Sequence, residues 1–120
     1  MESINRCSLG RMGEKIAADY LCRNNYIILD RNYRVGKMGE LDIIARELEY
    51  ICFIEVKTRR NTLFGMPSEA VSIKKRNNIR RLAYAYLKNR NLIDCDVRFD
   101  VVEVLIQASG HSINIIKNAF

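Results

Sequence analysis

The sequence has little of what marks several common classes of protein. Among its 120 residues there are one proline, one histidine and no tryptophan. No uninterrupted apolar stretch approaches the ~20 residues that a membrane-spanning helix needs. The first six residues, Met-Glu-Ser-Ile-Asn-Arg, lack the apolar segment of a secretory signal. We therefore expect a cytoplasmic protein that has no membrane partner.

The cysteines and glycines also lack the spacing of familiar sites. No Cys-x-x-Cys pair occurs, although structural zinc sites are commonly built from such pairs. We expect reduced thiols, two or three of them in the core, at the four positions Cys7, Cys22, Cys52 and Cys95. A phosphate-loop glycine pattern and Gly-x-Ser-x-Gly are missing too, so neither an ATPase nor a serine hydrolase is indicated.

Hydrophobic periodicity predicts one α/β domain over residues 1–120. Apolar residues make up 48% of the chain, enough to line a core. The predicted order is a helix at 9–24, strands at 26–34, 40–46 and 50–57, a helix from the N-cap Ser68 to near Asn91, and strands at 97–107 and 112–117. The first three strands can form an antiparallel meander. The strand after the second helix requires a crossover, so we expect a mixed central sheet flanked by helices.

Residues suited to phosphodiester chemistry lie on the second and third predicted strands. Glu55 and Lys57 are two positions apart, at the end of an apolar run, and therefore share a face of the strand. If the hairpin turns near Leu48, residue 42 faces residue 54 or 55, which makes Asp42 and Glu55 near neighbours. Two adjacent carboxylates repel each other, and Mg²⁺ or Mn²⁺ would compensate their charge. Lys57 would then orient or deprotonate a water, or stabilise charge on a phosphate.

A purely structural interpretation of these three residues stays open. Glu55 and Lys57 would form an ordinary ion pair at the end of a strand, and Asp42 would cap a turn. The spacing alone does not decide between the two interpretations, because D-x(12)-E-x-K is short enough to arise by accident.

The charge of the following segment favours a polyanionic partner. Residues 57–90 contain ten basic residues and one acidic residue, whereas the rest of the chain has ten basic and thirteen acidic residues. The overall charge of +6 thus combines a strongly basic segment with an acidic remainder. A basic surface beside carboxylates suits a nuclease, although a solvated helix face is the alternative. The expected nucleic-acid contacts are Arg59, Arg60, Lys74, Lys75, Arg76, Arg80 and Arg81.

Nearly the whole chain resembles the bacterial YraN family, which is placed in the restriction-endonuclease-like superfamily. The residues that carry the resemblance are Gly13-Glu14 with Ala17, Tyr20 and Leu21, Asn32-Tyr33-Arg34, Gly39-Glu40-Leu41-Asp42-Ile43-Ile44-Ala45, Phe53-Ile54-Glu55-Val56-Lys57-Thr58-Arg59, Phe64-Gly65, Glu69-Ala70-Val71, Lys75, Arg98-Phe99-Asp100-Val101 and Asn118-Ala119-Phe120. Two positions depart from the family pattern. Tyr33 stands where Trp is common, and Glu47-Leu48-Glu49 replaces an Asp-Gly type of turn, which leaves the hairpin register open.

The resemblance implies an αβββαβ nuclease core similar to that of archaeal Holliday-junction resolvases. It implies a catalytic set of Glu14, Asp42, Glu55 and Lys57, in which the three acids bind the metal. It also implies that Lys75, at the start of the second helix, reaches phosphate.

The expected function is therefore a Mg²⁺- or Mn²⁺-dependent nuclease that acts on DNA, including branched or junction DNA, and selects by structure rather than by sequence. A homodimer fits if the substrate is a symmetric junction. Two alternatives remain: a non-catalytic nucleic-acid-binding module that keeps the nuclease fold, and a protein-interaction domain in which the carboxylates are structural.

Overall fold

Two helices and five strands, counted over the residues that the structure describes, follow one another in the predicted order. The computed structural model describes residues 6–60 and 71–120. Its elements are α1 (Arg6–Arg23), β1 (Ile27–Val35), β2 (Gly39–Glu47), β3 (Tyr50–Arg59), α2 (Ile73–Asn89), β4 (Asp96–Gln107) and β5 (Gly110–Ile116). Neither helix in these ranges is long and apolar enough to cross a membrane.

The strands form one mixed sheet in the order β1-β2-β3-β4-β5. The β1–β2 and β2–β3 pairs are antiparallel, which confirms the predicted meander. After α2 the chain returns beside β3, and β4 pairs with it in parallel. The β4–β5 pair is antiparallel again. The predicted α/β class with a mixed central sheet is confirmed at this level.

A two-residue turn sets the register of the β2–β3 hairpin. Glu47 pairs with Tyr50, and between them Leu48 has a φ of 55°, in the left-handed region. The ladder runs back to the pair Ile43–Ile54. One further step in the same register places Asp42 opposite Glu55, within the range that the sequence predicted.

Each face of the sheet is covered by one helix. On one face, Ala17 and Leu21 of α1 pack with residues such as Ile43 and Ile54. On the other face, apolar residues of α2 pack in a cluster that contains Ile79, Leu82, Ala83, Tyr86, Leu87, Ile44, Ile51 and Phe53. The predicted helix at 9–24 extends one residue too far, because α1 ends at Arg23 and Asn24 lies exposed in the following turn.

The helix α2 begins later than predicted. Its N-cap is Ser72, whose side-chain oxygen accepts a hydrogen bond from the backbone N–H of Lys75 at 3.1 Å. Val71 and Ser72 are not helical. The predicted N-cap, Ser68, lies outside the described residues. The later start matters because it places Lys75 in the first turn of α2.

A buried ionic network fastens β4 to the β2–β3 turn and to the end of the chain. Asp100 is fully buried, and Arg98 donates to it at 2.8–2.9 Å and to Glu47 at 2.7 Å. The backbone N–H of Asn118 also donates to Asp100, at 2.9 Å, and Lys117 donates to Glu47 at 2.9 Å. These bonds supply the partners that a buried carboxylate requires.

The described cysteines differ in their surroundings. Cys52 is buried in the core, Cys95 is partly buried beside α2, and Cys22 is exposed, and all three are free. Burial raises the pKa of the Cys52 thiol to about 11, which keeps it protonated at neutral pH. Of the two or three core thiols that the sequence predicts, the described residues show Cys52 in the core and Cys95 partly buried.

Candidate functional site

The first half of α1 lies directly against the end of β3. A Cβ atom added to Gly13 would collide with the side chain of Thr58, so only glycine permits this approach. Gly13 is buried, and Glu14, the next residue of α1, is half-buried. The glycine therefore determines how near Glu14 comes to the strand residues of the candidate site.

Asp42 is held where the β2–β3 ladder ends. Its Oδ2 atom accepts a hydrogen bond of 2.9 Å from the backbone N–H of Val56. Burial, followed in size by the negative charge of Glu55 and, less, that of Glu14, raises the pKa of Asp42 to about 8, against the opposing effect of the Val56 hydrogen bond. The surroundings of Asp42, including the neighbouring Glu55, therefore disfavour its charged form.

Glu55 is a buried carboxylate that contacts two lysines. It is 6% exposed. Its Oε1 atom lies 3.2 Å from Lys75 Nζ and 3.6 Å from Lys57 Nζ. The structure therefore brings Asp42, Glu55 and Lys57 together as predicted, and it adds Lys75 from the first turn of α2.

Glu14 is held at the flank of this cluster by a residue that sequence reasoning missed. Asn32 Nδ2 donates to Glu14 Oε1 at 2.7 Å and to Glu40 Oε1 at 3.1 Å. Glu40 in turn pairs with Arg34 at 3.2 Å. The β1–β2 register, continued through its neighbours Arg31–Ile43 and Tyr33–Leu41, places Asn32 opposite Asp42.

A signal for Asn32 exists in the sequence. An asparagine interrupts a strand of β-forming residues, and its φ of 51° lies in the left-handed region that asparagine tolerates better than most residues. Glu40 carries no comparable signal, because its link to Glu14 through Asn32 depends on how α1 docks on the sheet.

The acidic residues do not form a closed three-ligand set. Among residues 6–60 and 71–120, no three Asp, Glu, His or Cys side chains are arranged to hold a metal ion. Asp42 and Glu55 are the adjacent pair, while Glu14 is turned to Asn32. Mg²⁺ is commonly held by only one or two protein carboxylates together with waters and phosphate oxygens. The oxygen donors of the pair fit such an ion.

A basic groove opens beside Lys75. It has a volume of about 320 Å³ and is lined by Ser72, Lys74, Lys75, Asn78 and Arg81. Asn78 ties α2 to the start of β2, because its Nδ2 atom donates to the Met38 carbonyl at 3.0 Å. The groove thus joins the Glu55 carboxylate to a surface suited to phosphate.

Two other predicted contacts, Arg76 and Arg80, lie over aromatic rings instead of lining the groove. The Arg76 guanidinium is 5.7 Å from the centre of the Phe120 ring, and that of Arg80 is 5.4 Å from the same ring and 5.9 Å from the ring of Phe99. The predicted basic residues of α2 are therefore divided between its groove side and its aromatic side. Arg59 is half-buried at the end of β3, and Arg60 follows it, exposed.

The fold and the site together define an α/β protein with a carboxylate pair beside a basic groove. The profile described as "Uncharacterised protein family UPF0102" matches residues 13–104. The chain therefore belongs to the UPF0102 family, of which YraN is another name, and the resemblance is confirmed at the level of the family.

Relatives that carry the name UPF0102 protein match almost end to end. The protein of Acetivibrio thermocellus is 49% identical, over 97% of this chain and 93% of the relative. That of Dictyoglomus turgidum is 41% identical, over 98% of this chain and 100% of the relative. A protein of Clostridium botulinum strain Loch Maree is 46% identical, over 93% of each chain.

Proposed function

We propose that the protein is a Mg²⁺- or Mn²⁺-dependent nuclease that hydrolyses phosphodiester bonds in DNA, including branched DNA. The observation that carries the proposal is the pair of the half-buried Asp42 and the buried Glu55, with two lysines on Glu55 and a basic groove alongside. The substrate would be selected by its structure, because a groove of lysine and arginine contacts phosphates rather than base edges.

The order of elements supports a restriction-endonuclease-like core. The run α1, β1, β2, β3, α2, β4 has the αβββαβ order that the family resemblance implies. The carboxylates lie at the β2–β3 hairpin and the flanking acid lies on α1, as that resemblance requires. Because a fold does not determine an activity, the proposal rests on the site and not on the topology.

Asp42 and Glu55 are the residues that would hold the cation, with Glu14 at the flank. A bound divalent cation polarises a phosphate and lowers the pKa of a bound water. Lys57 lies beside Glu55 and would orient the attacking water or stabilise the charge that develops on the phosphate. Lys75 would move from Glu55 to a phosphate oxygen of the DNA.

The groove of Lys74, Lys75 and Arg81 would hold the DNA backbone next to the carboxylates. Arg59 and Arg60 extend the basic surface beyond the end of β3. Arg76 and Arg80 contribute positive charge from the neighbouring side of α2, where they pack on rings. A symmetric junction would engage two copies of the chain.

One observation favours a second function, a nucleic-acid-binding module without catalysis. In the described ranges the acids do not form a three-ligand set, and the Glu55 charge is already paired with two lysines. In this alternative the lysines compensate Glu55 permanently, and only the basic groove acts.

Cleavage of a panel of DNA structures tests the proposal. Plasmid, four-way junction and flap DNA are incubated with the purified protein in Mg²⁺ or Mn²⁺. We expect at least one substrate to be cut, and Glu55→Gln to reduce the rate by at least about 100-fold while DNA binding is kept. Glu49→Gln, an exposed acid in the β2–β3 turn, is the matched control and should cut normally.

The same panel separates the alternatives. Salt-dependent binding without cleavage of any substrate would establish the non-catalytic module. If the protein shows no salt-dependent binding to DNA, the protein-interaction domain is the remaining interpretation.

A further inference from the structure

Three polar residues form a row across the end of the sheet, next to the candidate site. In the parallel β3–β4 register Lys57 pairs with Glu103, and in the antiparallel β4–β5 register Glu103 pairs with Asn114. Residues paired in this way lie on neighbouring strands about 4.8 Å apart and share one face of the sheet. Glu103 is therefore the acidic residue that faces Lys57 from β4.

Glu103 is buried and has one oxygen without a partner. The residue is 6% exposed. Its Oε1 atom accepts a hydrogen bond of 2.8 Å from Asn114 Nδ2, whereas its Oε2 atom is buried and forms no hydrogen bond with any residue that the structure describes. A buried carboxylate oxygen in this state is costly, and such exceptions in native proteins call for a physical reason.

Lys57 shares its partner, Glu55, with Lys75 and forms the longer of the two contacts. Lys57 Nζ lies 3.6 Å from Glu55 Oε1, the same atom that Lys75 approaches to 3.2 Å. If Glu55 turns to a cation, Lys57 loses its partner while most of its side chain remains covered, since only 21% is exposed. A half-buried ammonium group then requires another acceptor.

We propose that Glu103 is a positioning residue for Lys57, which takes the ammonium group on its free Oε2 atom when the Glu55 charge is engaged elsewhere. Asn114 fixes the other oxygen, so the carboxylate is oriented before Lys57 arrives. Lys57 then stays at the edge of the site instead of following Glu55. A role for this exchange in catalysis rests on the proposed nuclease function, whereas the exchange of Lys57 from Glu55 to Glu103 does not.

Glu55→Gln reproduces the loss of the Glu55 charge without any cation or DNA. The Lys57 side chain is observed by NMR in the wild type, in Glu55→Gln and in Glu55→Gln/Glu103→Gln, with its signals assigned by their loss in Lys57→Arg. We expect a nuclear Overhauser contact between the Lys57 Hε and Glu103 Hγ protons to appear in Glu55→Gln, with a shift of the Lys57 signals. The shift should be lost in the double variant.

Two results would overturn the inference. One is that Lys57 shows no contact with Glu103 in Glu55→Gln. Glu103 is unchanged in this single variant, so the result does not depend on how the double variant folds. The other is that the Lys57 signals are the same in Glu55→Gln and in the double variant. Since no cation or substrate is present, neither result bears on cleavage, and failure of the nuclease proposal leaves this test unaffected.

Discussion

The carboxylate of Asp42 occupies the place of a backbone acceptor for Val56. The β2–β3 ladder stops at Ile43–Ile54, and beyond it the Val56 N–H donates to Asp42 Oδ2 at 2.9 Å. This bond orients Asp42 towards the strand that carries Glu55. The two carboxylates are thus held together by the fold itself, and the energetic cost of that arrangement can be measured.

The raised pKa of Asp42 predicts a specific pH dependence of stability. Burial raises the pKa of Asp42 to about 8 in the folded protein, from 3.8. The folded state therefore holds a proton that the unfolded state loses, and this contribution to stability is complete below about pH 4 and declines as the pH rises to about 8. Asp42→Asn should be more stable than the wild type at pH 8 without added cations, and the difference should shrink towards pH 4.

Urea unfolding at a series of pH values checks this prediction. Glu49→Gln removes the same charge from an exposed position and should leave the pH dependence unchanged. The prediction is contradicted if the free energy of unfolding of the wild type rises between pH 4 and pH 8 by the same amount as that of Asp42→Asn.

Gly13 is expected to be intolerant of the smallest side chain. A methyl group in Gly13→Ala would overlap Thr58 and push α1 away from β3, at a cost of about 1–3 kcal/mol for overpacking. Gly10→Ala, on the same helix, is the control because a Cβ there meets nothing within 4 Å. Denaturant unfolding gives both values, and equal stability of the two variants would show that the contact does not constrain α1.

The groove should dominate the salt-dependent binding of DNA. Replacing Lys74, Lys75 and Arg81 together by alanine removes three phosphate contacts, so the slope of log K against log[salt] should become shallower by about 2–3. Lys88→Ala, in the last turn of α2, should change it little, since Lys88 lies outside the groove. Fluorescence anisotropy across a salt series provides the measurement, and equal slopes would place the binding surface elsewhere.

Asp100 should stabilise the protein without taking part in the site. Asp100→Ala removes the fully buried one of the two carboxylates that pair with Arg98 and leaves only Glu47, and breaking a buried pair costs about 3–5 kcal/mol. Arg98 pairs with Cys52 in the β3–β4 register, well before Glu55, so DNA affinity at low temperature should be retained. Thermal unfolding measures the stability of Asp100→Ala, and fluorescence anisotropy on the same sample measures its DNA affinity. A loss of DNA affinity without a loss of stability would contradict the prediction.

Local patterns were sufficient to predict the elements, the meander and the Asp42–Glu55 pair. Strand alternation and the turn near Leu48 determine which residues face each other, so the pair follows without tertiary information. The link from Glu14 to Asn32 and the stacking of Arg80 on Phe120 could not be predicted in this way. Both join segments distant in the sequence and depend on how a helix docks on the sheet. The N-cap of α2 was missed because two serines, Ser68 and Ser72, offer the same local signal.

The central claim is that Asp42 and Glu55 jointly hold a divalent cation, and calorimetric titration of Mn²⁺ tests it most directly. We predict one site per chain in the wild type and in Glu49→Gln, and at least about tenfold weaker binding in Asp42→Asn, as expected when a ligand of the ion is lost. Wild-type affinity in Asp42→Asn would contradict the claim.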